Sequence, residues 1–221
     1  LVQLQNSKYV QSAAGPCFPD VRRELRMGRT VLFCGTPCQV AGLQAFLGTR
    51  KAWPNLYTAD LVCHGVPSER IFRAWVVAEE RDLGNRIVDV RFRCKREGWG
   101  HSLLLLLLEN GLEELIPADH SAYYAMFLGL ETLRDSCYTC PYASGFRAGD
   151  LTFGDFWGVQ KVRPDVMEAA QRFNERRGLP CLLAHNEHGR KALERFGSKL
   201  HLREASVDDT SYGHDQPPYP T

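Results

Sequence analysis

Short apolar runs along this chain alternate with stretches whose apolar residues recur at helical spacing. Val21 and Leu25, set among Arg22, Arg23 and Arg26, predict a short amphipathic helix that Gly28 closes. The apolar, β-rich run TVLFC at 30–34 predicts a buried strand. Pro37 suits the first turn of the next helix, where Val40, Leu43 and Leu47 recur at helical spacing up to Gly48. LYTADLVC at 56–63 predicts a second strand and HGVPS at 64–68 a loop. Ser68 then caps a helix carrying Ile71, Phe72, Trp75 and Val76. RIVDVRFRCK at 86–95 alternates and predicts a third strand. Its Val88, Val90, Phe92 and Cys94 share one face, and Asp89, Arg91, Arg93 and Lys95 the other. Strand, helix, strand, helix, strand in this order implies an α/β fold, a parallel or mixed sheet with covering helices.

The second half changes character. HSLLLLLLENGLEELIP at 101–117 predicts a hairpin turning at Glu109-Asn110-Gly111. Helical spacing returns at Tyr123, Met126 and Phe127. Residues 133–159 are rich in Gly, Pro and aromatics, read as a cysteine-rich loop insertion with one short strand around Leu151 to Phe153. From about Arg163 a helix, a strand and a helix follow. The organisation expected is one α/β domain over 1–203 and a tail over 204–221, with the final GHDQPPYPT extended or disordered. The initial Leu1 marks the chain as an expected fragment of something longer.

The 221 residues, 44% of them hydrophobic, suffice for one sizeable core. A formal charge of +1 gives no global pull toward nucleic acid or a membrane surface. The longest pure apolar run, Leu103 to Leu108, is far too short for a membrane span. Eight cysteines, sparse for a secreted scaffold, suit a reducing compartment such as the cytoplasm, where they more often serve metal, cluster or catalysis.

Cys137 and Cys140 form a CxxC, the spacing that lets one turn of chain aim two sulfurs at one metal or cluster. Cys38 and Cys63 each lie at or just past the end of a predicted strand, and the strand ends of a parallel sheet converge on one edge. Cys38 also opens a helix, where the dipole favours an anion. Two readings stand: one four-cysteine site, or two core residues beside a structural turn. Cys17, Cys34, Cys94 and Cys181 are expected in the core.

KYVQS (8–12), VLFCGTPCQVAGL (31–43), DLVCHGVPS (60–68), FRCKREGW (92–99), LRDSCYTC (133–140) and DLTFGDFWG (150–158) occur in this order. Together they resemble the beta-subunit family of coenzyme F-420 hydrogenases and dehydrogenases, over roughly residues 8 to 160. The resemblance implies an oxidoreductase, an iron–sulfur flavoprotein that carries electrons between a 4Fe–4S cluster, FAD and a partner. It implies cluster ligands at Cys38, Cys63, Cys137 and Cys140, and supports the core reading of Cys34. Many relatives carry an upstream ferredoxin-like segment with further CxxC motifs, and no such motif is present in this sequence.

The flavin or an anionic substrate is expected at Arg93, Lys95 and Arg96, since guanidinium forks match phosphate oxygens; a solvated strand face is the alternative. Trp99 either covers a flavin or simply packs, and Asp155 of GDFWG either bonds the flavin or its own turn. His64 is expected to cap a loop. A redox partner protein, such as ferredoxin or another hydrogenase or dehydrogenase subunit, is expected to dock at the 137–149 loop between Arg134 and Arg147. A small molecule is expected to exchange two electrons. A zinc-stabilised interaction module is the alternative from another class. A thiol–disulfide enzyme using Cys34 and Cys38 is a third, weakened by a three-residue gap where redox motifs have two.

Overall fold

A computed structural model describes residues 9–99, 101–170 and 178–211. In chain order the first elements are α1 (Phe18–Arg26), β1 (Val31–Gly35), α2 (Pro37–Leu47), β2 (Leu56–Leu61), α3 (Glu69–Leu83) and β3 (Ile87–Arg91). Then come β4 (Leu103–Leu108), β5 (Glu113–Pro117), α4 (Ala122–Leu128), α5 (Asp135–Tyr138) and β6 (Leu151–Asp155). The last are α6 (Val159–Val162), α7 (Pro164–Ala170), β7 (Pro180–Ala184), α8 (Glu187–Phe196) and α9 (Val207–Ser211). They divide into two compact units, one built on residues 13–64, 140–170 and 179–211, the other on 9–12, 65–99, 101–139 and Gly178.

The first of these units holds a four-stranded mixed sheet in the order β1-β2-β6-β7. β1, β2 and β6 run parallel, and β7 returns antiparallel along β6. One face carries Phe33 and Leu56, sealed by Leu25 of α1 and by Val40 and Leu43 of α2. Val40 and Leu43 are fully buried, each contributing about 1.5–3 kcal/mol relative to exposure. The opposite face carries Ala59 and Leu151 under Ala192 of α8. Gln39 starts α2 by accepting the Thr36 N–H at 3.0 Å, and Pro37 fills the first turn.

β1 departs from the buried strand expected of it. Leu32 is 61% exposed and Cys34 is exposed as well. Both alternate onto the face opposite Phe33, on an edge strand. Cys34 is therefore not a core residue. Cys17 is exposed too, its thiol bonding the Ala14 carbonyl at 2.9 Å, and Cys94 is half-buried. Among these four only Cys181 is buried, which pushes its thiol pKa up.

The second unit is a three-stranded antiparallel sheet, β3-β4-β5. Its centre is the leucine run, buried almost throughout as a central strand requires. Gly111, at φ 84°, makes the hairpin turn. Trp75 of α3 and Tyr123, Tyr124 and Phe127 of α4 close one core over Leu104 and Leu106. β3 joins this sheet rather than β1 and β2, and it is shorter than the alternation suggests. A register shift between Ile87 and Asp89 turns Val88 outward, 58% exposed. At Arg93 the backbone turns left-handed, φ 52°, and the side chain is buried instead of solvated. That conformation costs a non-glycine residue about 1–2 kcal/mol and breaks the alternation of faces.

Residues 204–211 are tied to their unit: Arg163 donates to the Glu204 carbonyl at 2.6 Å and pairs with Asp209 at 3.8 Å. The segment 213–221, expected to be extended, lies outside the described residues, as does Lys8 of the KYVQS motif.

Candidate functional site

The parallel register of β1 and β2 sets Gly35 beside Asp60. β1 ends at Gly35 and β2 at Leu61, and Cys38 and Cys63 lie three residues past Gly35 and Asp60. Cys38 sits in the first turn of α2, exposed, its sulfur 3.2 Å from the Thr36 hydroxyl. The positive end of a helix dipole favours a negatively charged neighbour. Cys63 is half-buried just past β2, whose pairing extends to Val62 through its N–H to the Phe153 carbonyl at 2.8 Å.

Beneath this edge lies a polar network absent from the sequence expectations. Asp60 is fully buried. Its Oδ1 accepts from Arg147 Nη2 at 2.9 Å, from Arg147 Nε at 3.3 Å and from the Thr152 hydroxyl. Its Oδ2 accepts the Gly149 N–H at 2.9 Å. Arg147 also donates to the Leu61 carbonyl, leaving its side chain only 11% exposed. Arg147 is thus no rim charge, which corrects the expected docking edge. Arg134 belongs to the unit of β3, where it bonds Gln11.

Asp150, also buried, accepts from the Thr58 N–H at 2.8 Å, the Thr58 hydroxyl at 2.9 Å and Asn186 at 3.2 Å. His185 Nε2 lies 2.8 Å from the Thr152 hydroxyl. Burial lowers the His185 pKa; Arg147 acts in the same direction and Asp60 opposes it. A carboxylate within an apolar strand, Asp60 in LYTADL, was the one sequence signal of this network.

Cys140 begins the loop 140–149, half-buried; the loop's tip, Phe146, is 92% exposed. Cys137 lies in α5, in the unit of β3, half-buried against that unit's core. None of the eight cysteines is engaged in a disulfide. Among the described residues, no three His, Cys, Asp or Glu side chains are gathered as ligands of a single metal ion. A cubane's four cysteines bind four separate irons, so the donor set, thiolates only, suits a cluster in kind.

The expected flavin contacts spread over both units. Arg93, Lys95, Arg96 and Trp99 belong to the unit of β3, Asp155 to the unit of β6. Lys95 is exposed. Arg96 pairs with Glu113 at the surface, and that partner raises its pKa; solvent and salt screen an exposed pair of this kind. The Trp99 ring lies against Gly178, where a Cβ would come within 2.3 Å of it. Asp155 is half-buried at the end of β6. His64 is half-buried next to Cys63.

The family model for the C-terminal part of the coenzyme F-420 hydrogenase/dehydrogenase beta chain matches residues 28–210. No curated protein matches the sequence. A chain of the xenon-derivatised F-420-reducing NiFe hydrogenase complex from Methanosarcina barkeri has a similar fold, with a TM-score of 0.50 at 14% identity. The likeness covers 88% of this chain and 57% of that one.

Proposed function

This chain belongs to the coenzyme F-420 hydrogenase/dehydrogenase beta-subunit family, and we propose that it is an iron–sulfur flavoprotein subunit. In this reading it passes electrons between a 4Fe–4S cluster, FAD and a two-electron substrate such as coenzyme F-420. Cys38, Cys63, Cys137 and Cys140 are the proposed ligands. The observation that carries the reading is the register of β1 and β2, which sends Cys38 and Cys63 off adjacent strands at equal distances past Gly35 and Asp60.

When bound, the cluster supplies single-electron transfer and the flavin couples it to hydride transfer. The chain's part is to hold and tune. The start of α2 puts the positive end of the helix dipole at Cys38. Arg93, turned inward, and Lys95 offer positive charge to the FAD diphosphate, with Arg96 recruited from Glu113. Trp99, braced by Gly178, offers a ring to cover the flavin, and Asp155 a hydrogen-bond acceptor.

A ferredoxin or another hydrogenase or dehydrogenase subunit is the proposed electron partner, since the similar solved chain belongs to a hydrogenase complex. Eight cysteines without a disulfide suit the reducing cytoplasm. Among the described residues no helix is long and apolar enough to cross a membrane. The test is anaerobic purification followed by absorption spectroscopy and metal analysis. The reading expects flavin bands over broad iron–sulfur absorption, bleached by dithionite and by reduced coenzyme F-420. Stoichiometric zinc without sulfide overturns it in favour of a non-catalytic zinc module.

A further inference from the structure

We propose that the Arg147–Asp60 ion pair is the positioning device of the cysteine site, holding the loop that carries Cys140 against the elements that carry Cys38 and Cys63. The inference rests on those three cysteines being cluster ligands. All the residues involved belong to one unit.

The loop is fastened along one leg. Its tip is open, with Phe146 92% exposed, yet its second leg is held at every position from 147 to 150. One carboxylate, Asp60, receives both the Arg147 guanidinium and the Gly149 N–H. The same guanidinium reaches the carbonyl of Leu61, two residues before Cys63. Between them, the Ala148 carbonyl accepts from Gln44 of α2 at 2.7 Å, and α2 is the helix that begins with the Cys38 turn. Asp150 then closes on Thr58 of β2. A single short leg therefore binds the Cys63 strand and the Cys38 helix at once.

The chemistry chosen for the clasp argues for positioning over stability. A buried ion pair is seldom more stabilising than apolar residues of the same volume, but it fixes geometry. Arginine's planar fork meets two acceptors, Asp60 and the Leu61 carbonyl, at set angles, which a lysine's point charge does not reproduce. Gly149 permits the approach, since a Cβ there would stand 2.9 Å from the Asp60 nitrogen and 2.7 Å from the Leu151 carbonyl oxygen. A ligand loop left unfastened would have to be ordered again each time a cluster is bound, and its cysteine would release iron more readily.

The test compares the wild-type chain with Arg147→Lys and with the double variant Asp60→Asn/Arg147→Gln, which keeps hydrogen-bonding groups and leaves no uncompensated charge. Each is reconstituted anaerobically with ferrous iron and sulfide. Circular dichroism first establishes that it is folded. Iron release to a ferrous chelator is then timed. Expected is release at least tenfold faster in the double variant and several-fold faster in Arg147→Lys, with unchanged circular dichroism. Should the double variant not fold, Arg147→Lys decides alone. Wild-type release rates in the folded variants overturn the inference while leaving the cluster intact as a reading. A wild-type chain that takes up no iron and sulfide overturns the underlying reading and the inference with it.

Discussion

Alanine in place of glycine should act with opposite sign at two helical positions of the same unit. Gly42 lies within α2, and a Cβ there would meet only the Phe18 ring, at 3.6 Å, an ordinary contact. The helix propensity difference of about 0.8–1 kcal/mol then goes uncontested, so Gly42→Ala is stabilising. Gly189 is buried in the first turn of α8, and a Cβ there would lie 2.2 Å from the Asp150 carbonyl oxygen. That oxygen cannot swing away without breaking its bond from the His185 N–H at 3.0 Å. Overpacking costs about 1–3 kcal/mol, and a backbone obstacle puts the cost at the upper end. Less the helical gain of at most about 1 kcal/mol, Gly189→Ala should lose about 1–2 kcal/mol. Thermal unfolding of the cluster-free chain under reductant reads this as a fall of roughly 2–8 °C for Gly189→Ala and a rise of roughly 2–4 °C for Gly42→Ala. A Gly189→Ala midpoint at or above wild type would refute the packing of α8 on the start of β6.

Three further outcomes follow from burial and charge. Tyr123 and Tyr124 are buried, which raises both phenol pKa values far above the ordinary value of about 10. Above that pH the unfolded chain binds fewer protons, so stability falls as pH rises, and these two rings should ionise only as the chain unfolds in an ultraviolet titration. His185 has the opposite slope: its pKa is lowered by burial, so the unfolded chain binds more protons once pH drops below about 6.5, and stability is lost on acidification. His185→Gln should flatten that acid slope in denaturant titrations across pH 5–7. Arg93→Ala should weaken FAD retention by about 1.5–3 kcal/mol, roughly 10- to 150-fold in Kd by equilibrium dialysis, if a charge-assisted bond to the diphosphate is lost; unchanged affinity would return Arg93 to a purely structural role.

Local chemistry made most of the elements legible in the sequence. The Thr36-Pro37 start of α2, the Ser68 cap of α3 and the Asn110-Gly111 turn between β4 and β5 are decided by residues within a few positions of each other. What escaped was decided at long range. Four apolar residues in a row in β1 do not reveal that the face bearing Leu32 and Cys34 stays open. Arg147 in a Gly-containing loop reads as a surface charge because its partner, Asp60, stands 87 positions away. Arg93 fits a perfect alternation of faces and is buried all the same, because a left-handed residue interrupts the strand. The cysteines were legible as candidates from the CxxC spacing and the strand ends, but the hydrogen bonds that tie Arg147 to Asp60 and Gln44 to Ala148 were not, since each member alone is an ordinary residue.

The most direct test of the four-cysteine site is iron and acid-labile sulfide per chain, measured side by side after anaerobic preparation of wild type, Cys38→Ser and Cys34→Ser. A 4Fe–4S cluster with Cys38 among its ligands requires roughly four of each in wild type and in Cys34→Ser, and loss of both in Cys38→Ser. A full complement retained in Cys38→Ser, or lost in Cys34→Ser, would contradict it.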